Sequence, residues 1–121
     1  MASEPIRDPQ KDLLLTPKNS AFVIIDYQPV QVNSIASMDR QLLVHNIVGA
    51  AKAAVAYGLP IVHSTVNVKT GLNKPPIAHL RKVLDKFPTY DRTSINSWED
   101  VEFRKAVEST GRKKLIMTAL W

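Results

Sequence analysis

The stretch Ala21-Phe22-Val23-Ile24-Ile25-Asp26 decides the fold of this chain. Five apolar residues in succession, rich in β-branched types, are typical of a strand that is buried on both faces of a parallel sheet, because such a strand has no solvent-facing side. The run ends in a carboxylate at Asp26. We therefore expect a central parallel strand with an acidic residue at its carboxyl end.

The rest of the chain divides into helical and strand patterns joined by short turns. In chain order we predict a loop over 28–37, a helix over 37–57 capped by Ser37, a strand over 61–66, a short helix over 75–87, a loop over 89–96, a helix over 97–110 that begins at a capping box, and a buried strand over 115–121. Strand, helix and strand with tight connections form a βαβ unit. The expected fold is α/β, a three-layer α/β/α arrangement around a doubly wound parallel sheet, with about three strands present.

The composition limits the class of protein. With 121 residues the chain holds at most one domain, and we assign residues 1–19 to an N-terminal arm and 20–121 to that domain. No apolar stretch is as long as a membrane span, and the first residues lack the apolar core of a signal peptide. The chain has no cysteine, which excludes a disulfide scaffold and fits a cytoplasmic protein. The basic residues behind the net charge of +5 are interleaved with acids, so a solvated surface is favoured over a nucleic-acid patch.

The expected site lies at the carboxyl ends of the strands. If the last strand lies beside the first, on the side away from the second, the topological switch point falls between them, and ligands bind there in open α/β sheets. Asp26 ends the first strand and Trp121 the last. From its position alone, Asp26 has two interpretations. It is a functional carboxylate at a desolvated rim, or it is a structural residue that caps a neighbouring helix or pairs with a lysine. Arg92, on the loop before the last helix, either reaches the same rim or is a surface residue.

Other kinds of chemistry have little support in the sequence. His45, His63 and His79 lack the spacing of metal ligands, and His63, inside a strand, fits a packed core residue better than a base. The four glycines form no phosphate-binding loop, and no serine has the context of a nucleophile elbow. The chain therefore supplies an acid or base and a cation, but no attacking group.

Four segments, residues 21–28, 57–62, 92–98 and 114–121, resemble the isochorismatase-like cysteine hydrolases in their order and spacing. The resemblance runs from about Leu15 to the end of the chain. It implies a doubly wound α/β fold and hydrolysis of a small amide, a related C–N bond or a vinyl ether by an aspartate–lysine–cysteine triad. The family's aspartate falls on Asp26 and its lysine on Arg92. That is a departure, because arginine can hold a charge and orient a carboxylate but does not readily exchange a proton.

The family's cysteine has no counterpart in this chain. In the family it lies a few residues beyond the strand that matches 115–121, at a helix N-terminus, where a thiol pKa is lowered and backbone N–H groups face the oxyanion. The resemblance thus implies the N-terminal portion of a hydrolase. The alternative belongs to a different class of protein. It is a non-catalytic, shortened module that pairs with a partner through its exposed last strand.

The resemblance also implies ligands and partners. We expect Gln28 and Trp121 to contact a small-molecule substrate, and the complete protein to be a homo-oligomer without nucleic-acid or membrane partners. Metal-dependent relatives carry Asp-x-His after the second strand, where this chain has Thr65-Val66-Asn67-Val68. We therefore predict no metal and no other cofactor.

Overall fold

One parallel sheet of four strands organises the chain. The computed structural model describes residues 2–4, 7–8, 10–12 and 14–121. In chain order the elements are β1 (Ser20–Ile25), α1 (Pro29–Ser34), α2 (Arg40–Ala56), β2 (Ile61–Val66), α3 (Ala78–Val83), β3 (Thr89–Arg92), a 3-10 helix (Ser97–Glu99), α4 (Val101–Ser109) and β4 (Lys114–Ala119). The strand order is β3-β2-β1-β4, and every pair is parallel. The predicted doubly wound α/β fold is confirmed, with β4 beside β1 and away from β2.

Helices cover both faces of the sheet, because the side chains of β1 alternate between two cores. Phe22 and Ile24 belong to a cluster with buried residues of α2 and α3. Val23 points to the opposite face, where it clusters with Phe103 and Val107 of α4. Burying an aliphatic or aromatic side chain of this size contributes about 1.5–3 kcal/mol. The five-residue apolar run therefore joins two helical layers through one strand, as the predicted three-layer arrangement requires.

The predicted loop over 89–96 and the expectation of about three strands are wrong. Residues Thr89–Arg92 form a fourth strand, β3, which pairs with β2 from His63↔Thr89 to Val66↔Arg92. Thr-Tyr-Asp-Arg is a polar sequence without an apolar run. The segment is extended because it forms backbone hydrogen bonds with the free edge of β2. A local sequence pattern contains no information about this pairing.

The segment over 28–37 also contains a helix that was not expected. Pro29 is the first residue of α1, where its fixed φ suits a helix and its missing N–H costs nothing. Val32 of this short helix is buried in the larger core. The packing of Val32, rather than any strong helical pattern, accounts for the helix.

The two long helices begin at aspartates and not at the predicted serines. Asp39 caps α2 and Asp100 caps α4, and each carboxylate accepts the N–H three residues further on at 2.9 Å. Ser37 lies before the helix, and Ser97 begins the 3-10 helix instead. Aspartate and serine are equally good caps, so the residue type alone does not decide where each helix begins.

The last strand was expected to be buried, but only one of its faces is covered. Ile116 packs against the core that includes α2, whereas Met117 is 60% exposed and Leu115 is exposed as well. β4 stands at the edge of the sheet, with no described strand on its other side. The apolar run therefore marks a strand, but it does not establish burial on both faces.

His63 is a core residue, as predicted. It is buried in β2, and its Nε2 lies 3.2 Å from the carbonyl oxygen of Phe87. Burial lowers the pKa of His63, and the contact with Phe87 opposes that effect only in part. The imidazole is therefore neutral at pH 7 and is a packing group at the β2–β3 edge.

The predicted N-terminal arm over 1–19 lies partly outside the described residues. Among those described, Leu14 and Leu15 are exposed. Arg112 donates a hydrogen bond to the carbonyl of Pro17 at 3.3 Å, and so ties this segment to the domain. The division into arm and domain stays a prediction. Within the described part of the chain, no helix has the length and apolar character needed to cross a membrane.

Candidate functional site

A cleft of about 570 Å³ opens at the carboxyl ends of the strands. Each strand contributes a residue to its lining: Asp26 after β1, Asn67 after β2, Arg92 at the end of β3 and Ala119 at the end of β4. Trp121 also lines it. The structure thus brings Asp26, Arg92 and Trp121 together at the switch point between β1 and β4, where the strand order predicts a ligand site.

The floor of the cleft is a bidentate ion pair. Arg92 Nη1 donates to Asp26 Oδ1 at 2.7 Å, and Nη2 donates to Oδ2 at 2.8 Å. The Arg92 side chain is 3% exposed and the Asp26 side chain 14% exposed. Two parallel charge-assisted hydrogen bonds fix both the distance and the plane of the carboxylate. The pair holds Asp26 with one edge toward the arginine and a small part of its surface open to the cleft.

Ser64 completes the shell around Asp26. Its hydroxyl donates to Asp26 Oδ1 at 3.0 Å, and its carbonyl accepts the Asp26 N–H at 3.1 Å. Asp26 itself has φ 59°, in the left-handed region, which asparagine and aspartate tolerate better than most residues. The turn after β1 therefore aims the carboxylate across β2 toward β3, which explains why Asp26 meets Arg92.

Arg92 is held by more than its ion pair. Nη1 also donates to the carbonyl of Thr65 at 3.3 Å, and Nη2 donates to the carbonyl of Ile95 at 2.9 Å. Nε is buried and has no hydrogen-bond partner among the described residues. The guanidinium, held in this way, fixes the orientation of the Asp26 carboxylate.

Gln28 lies behind the loop that follows β2, residues 67–73, which forms one wall of the cleft. It is fully buried, and its amide nitrogen donates to the carbonyls of Val66 and Lys74 at 3.0 and 2.8 Å. Its amide oxygen accepts the N–H of Val66 at 2.9 Å. The side chain therefore ties together the two ends of the loop after β2. Gln28 is not among the residues that line the cleft.

Trp121 lies at the mouth of the cleft. This residue is 76% exposed, and its indole N–H donates to the hydroxyl of Ser34 at 2.9 Å. That hydrogen bond connects the end of β4 to the end of α1. An exposed aromatic surface beside a polar floor can take a flat or apolar part of a ligand.

Four amide side chains that the sequence reasoning missed also line the cleft: Gln31, Asn67, Asn73 and Asn96. The amide nitrogen of Asn73 donates to the amide oxygen of Gln31 at 3.3 Å, which joins α1 to the loop after β2. Asn67 directly follows β2 as Asp26 follows β1. That position alone could have identified Asn67, whereas Gln31 required knowledge of α1.

Among the described residues that line the cleft, Asp26 is a proton acceptor, whereas the hydroxyl nearest to its carboxylate, that of Ser64, does not line the cleft. The hydroxyl of Ser64 is buried and already donates to Asp26. Within the described ranges, no three histidine, aspartate or glutamate side chains are grouped closely enough to hold a metal. The prediction that the protein uses no metal or other cofactor stays a prediction. The chemistry on hand is a carboxylate that is oriented and ready to accept a proton.

Comparisons with known proteins point to one kind of relative. The sequence is 26% identical over 107 residues to the probable hydrolase YcaC of Escherichia coli strain K12, an alignment that covers 88% of this chain and 51% of that protein. No protein-family model matches the chain. YcaC proteins are therefore among its relatives. A match at 26% identity supports an evolutionary relationship, but it does not specify the reaction or the residues that carry it out.

Two solved structures carry the same fold. YcaC from Pseudomonas aeruginosa, with hexane-2,5-diol and covalent acrylamide, matches with a TM-score of 0.79 and 27% identity over 86% of this chain and 52% of that one. The E. coli YcaC gene product, an octameric hydrolase of unknown specificity, matches with a TM-score of 0.81 and 25% identity over 96% and 54% of the two chains. The chain therefore has the α/β fold of YcaC and spans about half the length of these relatives.

Proposed function

We propose that this chain is the N-terminal portion of an isochorismatase-like hydrolase that cleaves an amide, a related C–N bond or a vinyl ether of a small molecule. The observation that carries the proposal is the Asp26–Arg92 ion pair on the floor of the switch-point cleft. The similarity to a probable hydrolase and the coverage of about half its length support the same conclusion.

The nucleophile is proposed to be a cysteine outside the residues of this chain. The chain has no cysteine. The acrylamide that P. aeruginosa YcaC holds covalently supports a reactive nucleophile in proteins of this kind, because thiolates add readily to such electrophiles. A helix N-terminus following β4 would lower the pKa of a thiol and offer backbone N–H groups to an oxyanion. The end of β4 and Asp26 line the same cleft, which supports a nucleophile at that location.

In the proposed mechanism, Asp26 carries the proton. Among the described donors, Oδ1 accepts from both Ser64 and Arg92, whereas Oδ2 accepts from Arg92 alone, so Oδ2 has room for a proton. For an amide, the thiol gives its proton to Asp26 and sulfur bonds to the carbonyl carbon. The C–N bond then breaks and the leaving nitrogen takes that proton. Asp26 then takes a proton from water, whose oxygen bonds to the acyl carbon. The C–S bond breaks, the carboxylic acid leaves, and the sulfur takes the proton back from Asp26.

The other predicted site residues receive different roles. We propose that Arg92 orients Asp26, because its described N–H donors other than the buried Nε already have partners. Trp121 contacts the substrate at the cleft mouth. Gln28 acts through the wall that its hydrogen bonds support. A direct contact of Gln28 with the substrate, as the resemblance implies, stays an untested prediction.

The assembly and compartment of the protein are also proposals. The octameric E. coli YcaC structure supports a homo-oligomer for the complete form of this protein. A cytoplasmic location and the absence of nucleic-acid and membrane partners stay predictions from composition. A gel-shift assay with duplex DNA at low salt tests the expectation that the protein has no nucleic-acid partner. Low salt strengthens electrostatic binding, so even weak DNA binding would be visible.

The test of the hydrolase proposal uses the coding sequence read past Trp121. We expect the longer protein to contain a cysteine soon after β4, to hydrolyse a member of a panel of small amides, and to lose turnover in Asp26→Asn. Asp85→Asn, at an exposed aspartate, is the matched control and should keep wild-type turnover. Near wild-type turnover in Asp26→Asn, or a coding sequence without such a cysteine, contradicts the proposal.

A second candidate is favoured by one observation, the exposed edge strand β4. Leu115 and Met117 are exposed on it, and an apolar edge is a template for pairing with another chain. We propose in this case a non-catalytic module that pairs through β4. It predicts that the 121-residue chain is a stable oligomer by light scattering and that Met117→Lys dissociates it. Aggregation or a molten state of the 121-residue chain contradicts this candidate.

A further inference from the structure

Asp91 and Arg92 are neighbours on β3 whose side chains leave the strand in opposite directions. Arg92 reaches Asp26, whereas Asp91 reaches the loop after β2. We propose that Asp91 is a positioning residue that holds residues 67–73 as a fixed wall of the cleft. The proposal rests on the proposed function only in that it takes the cleft to be the binding site.

The Asp91 carboxylate collects three hydrogen bonds from one short stretch of chain. Oδ1 accepts from the hydroxyl of Thr65 at 2.7 Å and from the N–H of Val68 at 3.1 Å. Oδ2 accepts from the N–H of Lys69 at 2.9 Å. Thr65 is buried in β2, so it is a rigid anchor. The carboxylate thus bridges a fixed strand and the first turn of the loop that leaves it.

The charge of Asp91 strengthens this bridge. Burial alone would raise the pKa of Asp91, but the hydrogen bonds from Lys69 N–H, the Thr65 hydroxyl and Val68 N–H, together with the Lys69 ammonium, outweigh burial and lower it. The group is therefore ionised at neutral pH. Hydrogen bonds to an ionised acceptor are about twice as strong as those between neutral groups.

The remaining contacts of the loop show why Asp91 matters most in its first half. Gln28 holds the two ends of the loop through Val66 and Lys74. The N–H of Asn73 donates to the carbonyl of Asn67 at 2.9 Å, which closes the loop on itself. Between these points, Asp91 is the described side chain from outside the loop that binds its backbone at residues 68 and 69.

The two adjacent residues Asp91 and Arg92 therefore have different roles at the cleft. The loop presents Asn67, Leu72 and Asn73 to the cleft. Arg92 sets the position of the proton acceptor, and Asp91 sets the position of the wall that a ligand must fit against. Loss of Asp91 should open the wall and leave the Asp26–Arg92 pair in place.

The test compares local opening with global unfolding by amide hydrogen exchange in NMR spectra of the protein that the full coding sequence encodes. In Asp91→Asn, the amides of Val68, Lys69 and Gly71 should lose about tenfold or more in protection relative to the amides of β1. Asp85→Asn is the matched control and should change the same ratio by less than about twofold. The Arg92 Nε–H resonance should keep its position in Asp91→Asn, because the ion pair is unchanged.

A second variant tests the inference even if Asp91→Asn folds poorly. Thr65→Val removes one neutral donor and keeps the charge, so the wall amides should lose about threefold in protection relative to β1. Equal losses in the wall and in β1 would make Asp91 a general stabiliser and overturn the inference, as would an unchanged wall. Neither result depends on turnover, so a failed hydrolase assay and a failed wall assay are separate outcomes.

Discussion

The two edges of the sheet are built from opposite kinds of sequence. β3 is short and polar, and its Asp91 and Arg92 side chains are tied into the loop after β2 and into Asp26. β4 is longer and apolar, and its Met117 side chain is exposed. Several side-chain hydrogen bonds join the polar edge to β2, to the loop after β2 and to Asp26. The apolar edge is held by its ladder to β1, by one inward-facing set of side chains and by a hydrogen bond between Thr118 and Tyr27.

The difference shows that hydrophobicity and structural constraint are separate properties of a strand. The hydrogen bonds of β3 are directional, and several of them are charge-assisted, so they specify where each side chain lies. Burial of the β4 side chains is not directional, and it leaves one face available for further contact. We expect mutations at the two edges to differ in size and in kind.

The largest effect is expected at the Asp26–Arg92 pair. Arg92→Met should lower the free energy of unfolding by about 3–5 kcal/mol, because it leaves a largely buried carboxylate without its partner. Arg104→Met is the matched control: Arg104 pairs with Glu108 at 3.0 Å on the surface, and its loss should cost less than about 1 kcal/mol. Urea denaturation measures both, and equal costs would show that the β3 edge is not specially constrained.

Next in size is the contrast between the two faces of β4. Ile116→Ala should lower the free energy of unfolding by about 1–2 kcal/mol, since Ile116 is partly buried against the core. Met117→Ala should change it by less than about 0.5 kcal/mol, because Met117 is exposed. Chemical denaturation of the two variants under one set of conditions is the measurement. A similar cost for both would mean that a partner covers the outer face.

The third effect is the pH dependence of the Asp91 bridge. The pKa of Asp91 in the folded protein lies below its ordinary value of 3.8, so its contribution is fully present above that value and is lost as the pH falls through the folded pKa. At pH 7, Asp91→Asn should lower the free energy of unfolding by about 1–2 kcal/mol. That difference should shrink below pH 3.8, whereas Asp85→Asn should show no such trend. A difference that does not vary with pH would contradict a role for the charge.

The smallest effect concerns His63, which joins β2 to the start of β3. Its pKa in the folded protein lies below the ordinary 6.5. Its contribution is therefore fully present above pH 6.5 and is lost as the pH falls toward the folded value, by at most about 1.4 kcal/mol per pH unit. His63→Gln should remove this dependence in urea titrations between pH 7 and about pH 5. His79→Gln, at an exposed histidine, should keep it.

The success and failure of the sequence predictions follow the same division. The strands β1, β2 and β4 and the long helix α2 were predicted from apolar runs and periodicity, because their contacts are written locally as hydrophobic patterns. β3 was missed since its pairing is with a strand more than twenty residues away. Asp26 and Arg92 were predicted as site residues from their positions and from a family resemblance, and the structure brings them together in the cleft. Gln31 was not predicted, because it depends on a short helix whose pattern is weak.

The amino-acid sequence was sufficient for the α/β class, the neighbouring positions of β1 and β2, and a carboxylate at the carboxyl end of β1. These features depend on apolar runs and short connections, which act over a few residues. The partners of Asp26, the wall held by Asp91 and the position of Gln28 beneath that wall required the folded chain. The hydrogen bonds of Asp26 join it to residues that are 38 and 66 positions away in the sequence. They depend on the register of the strands, and the register is settled when the whole sheet forms.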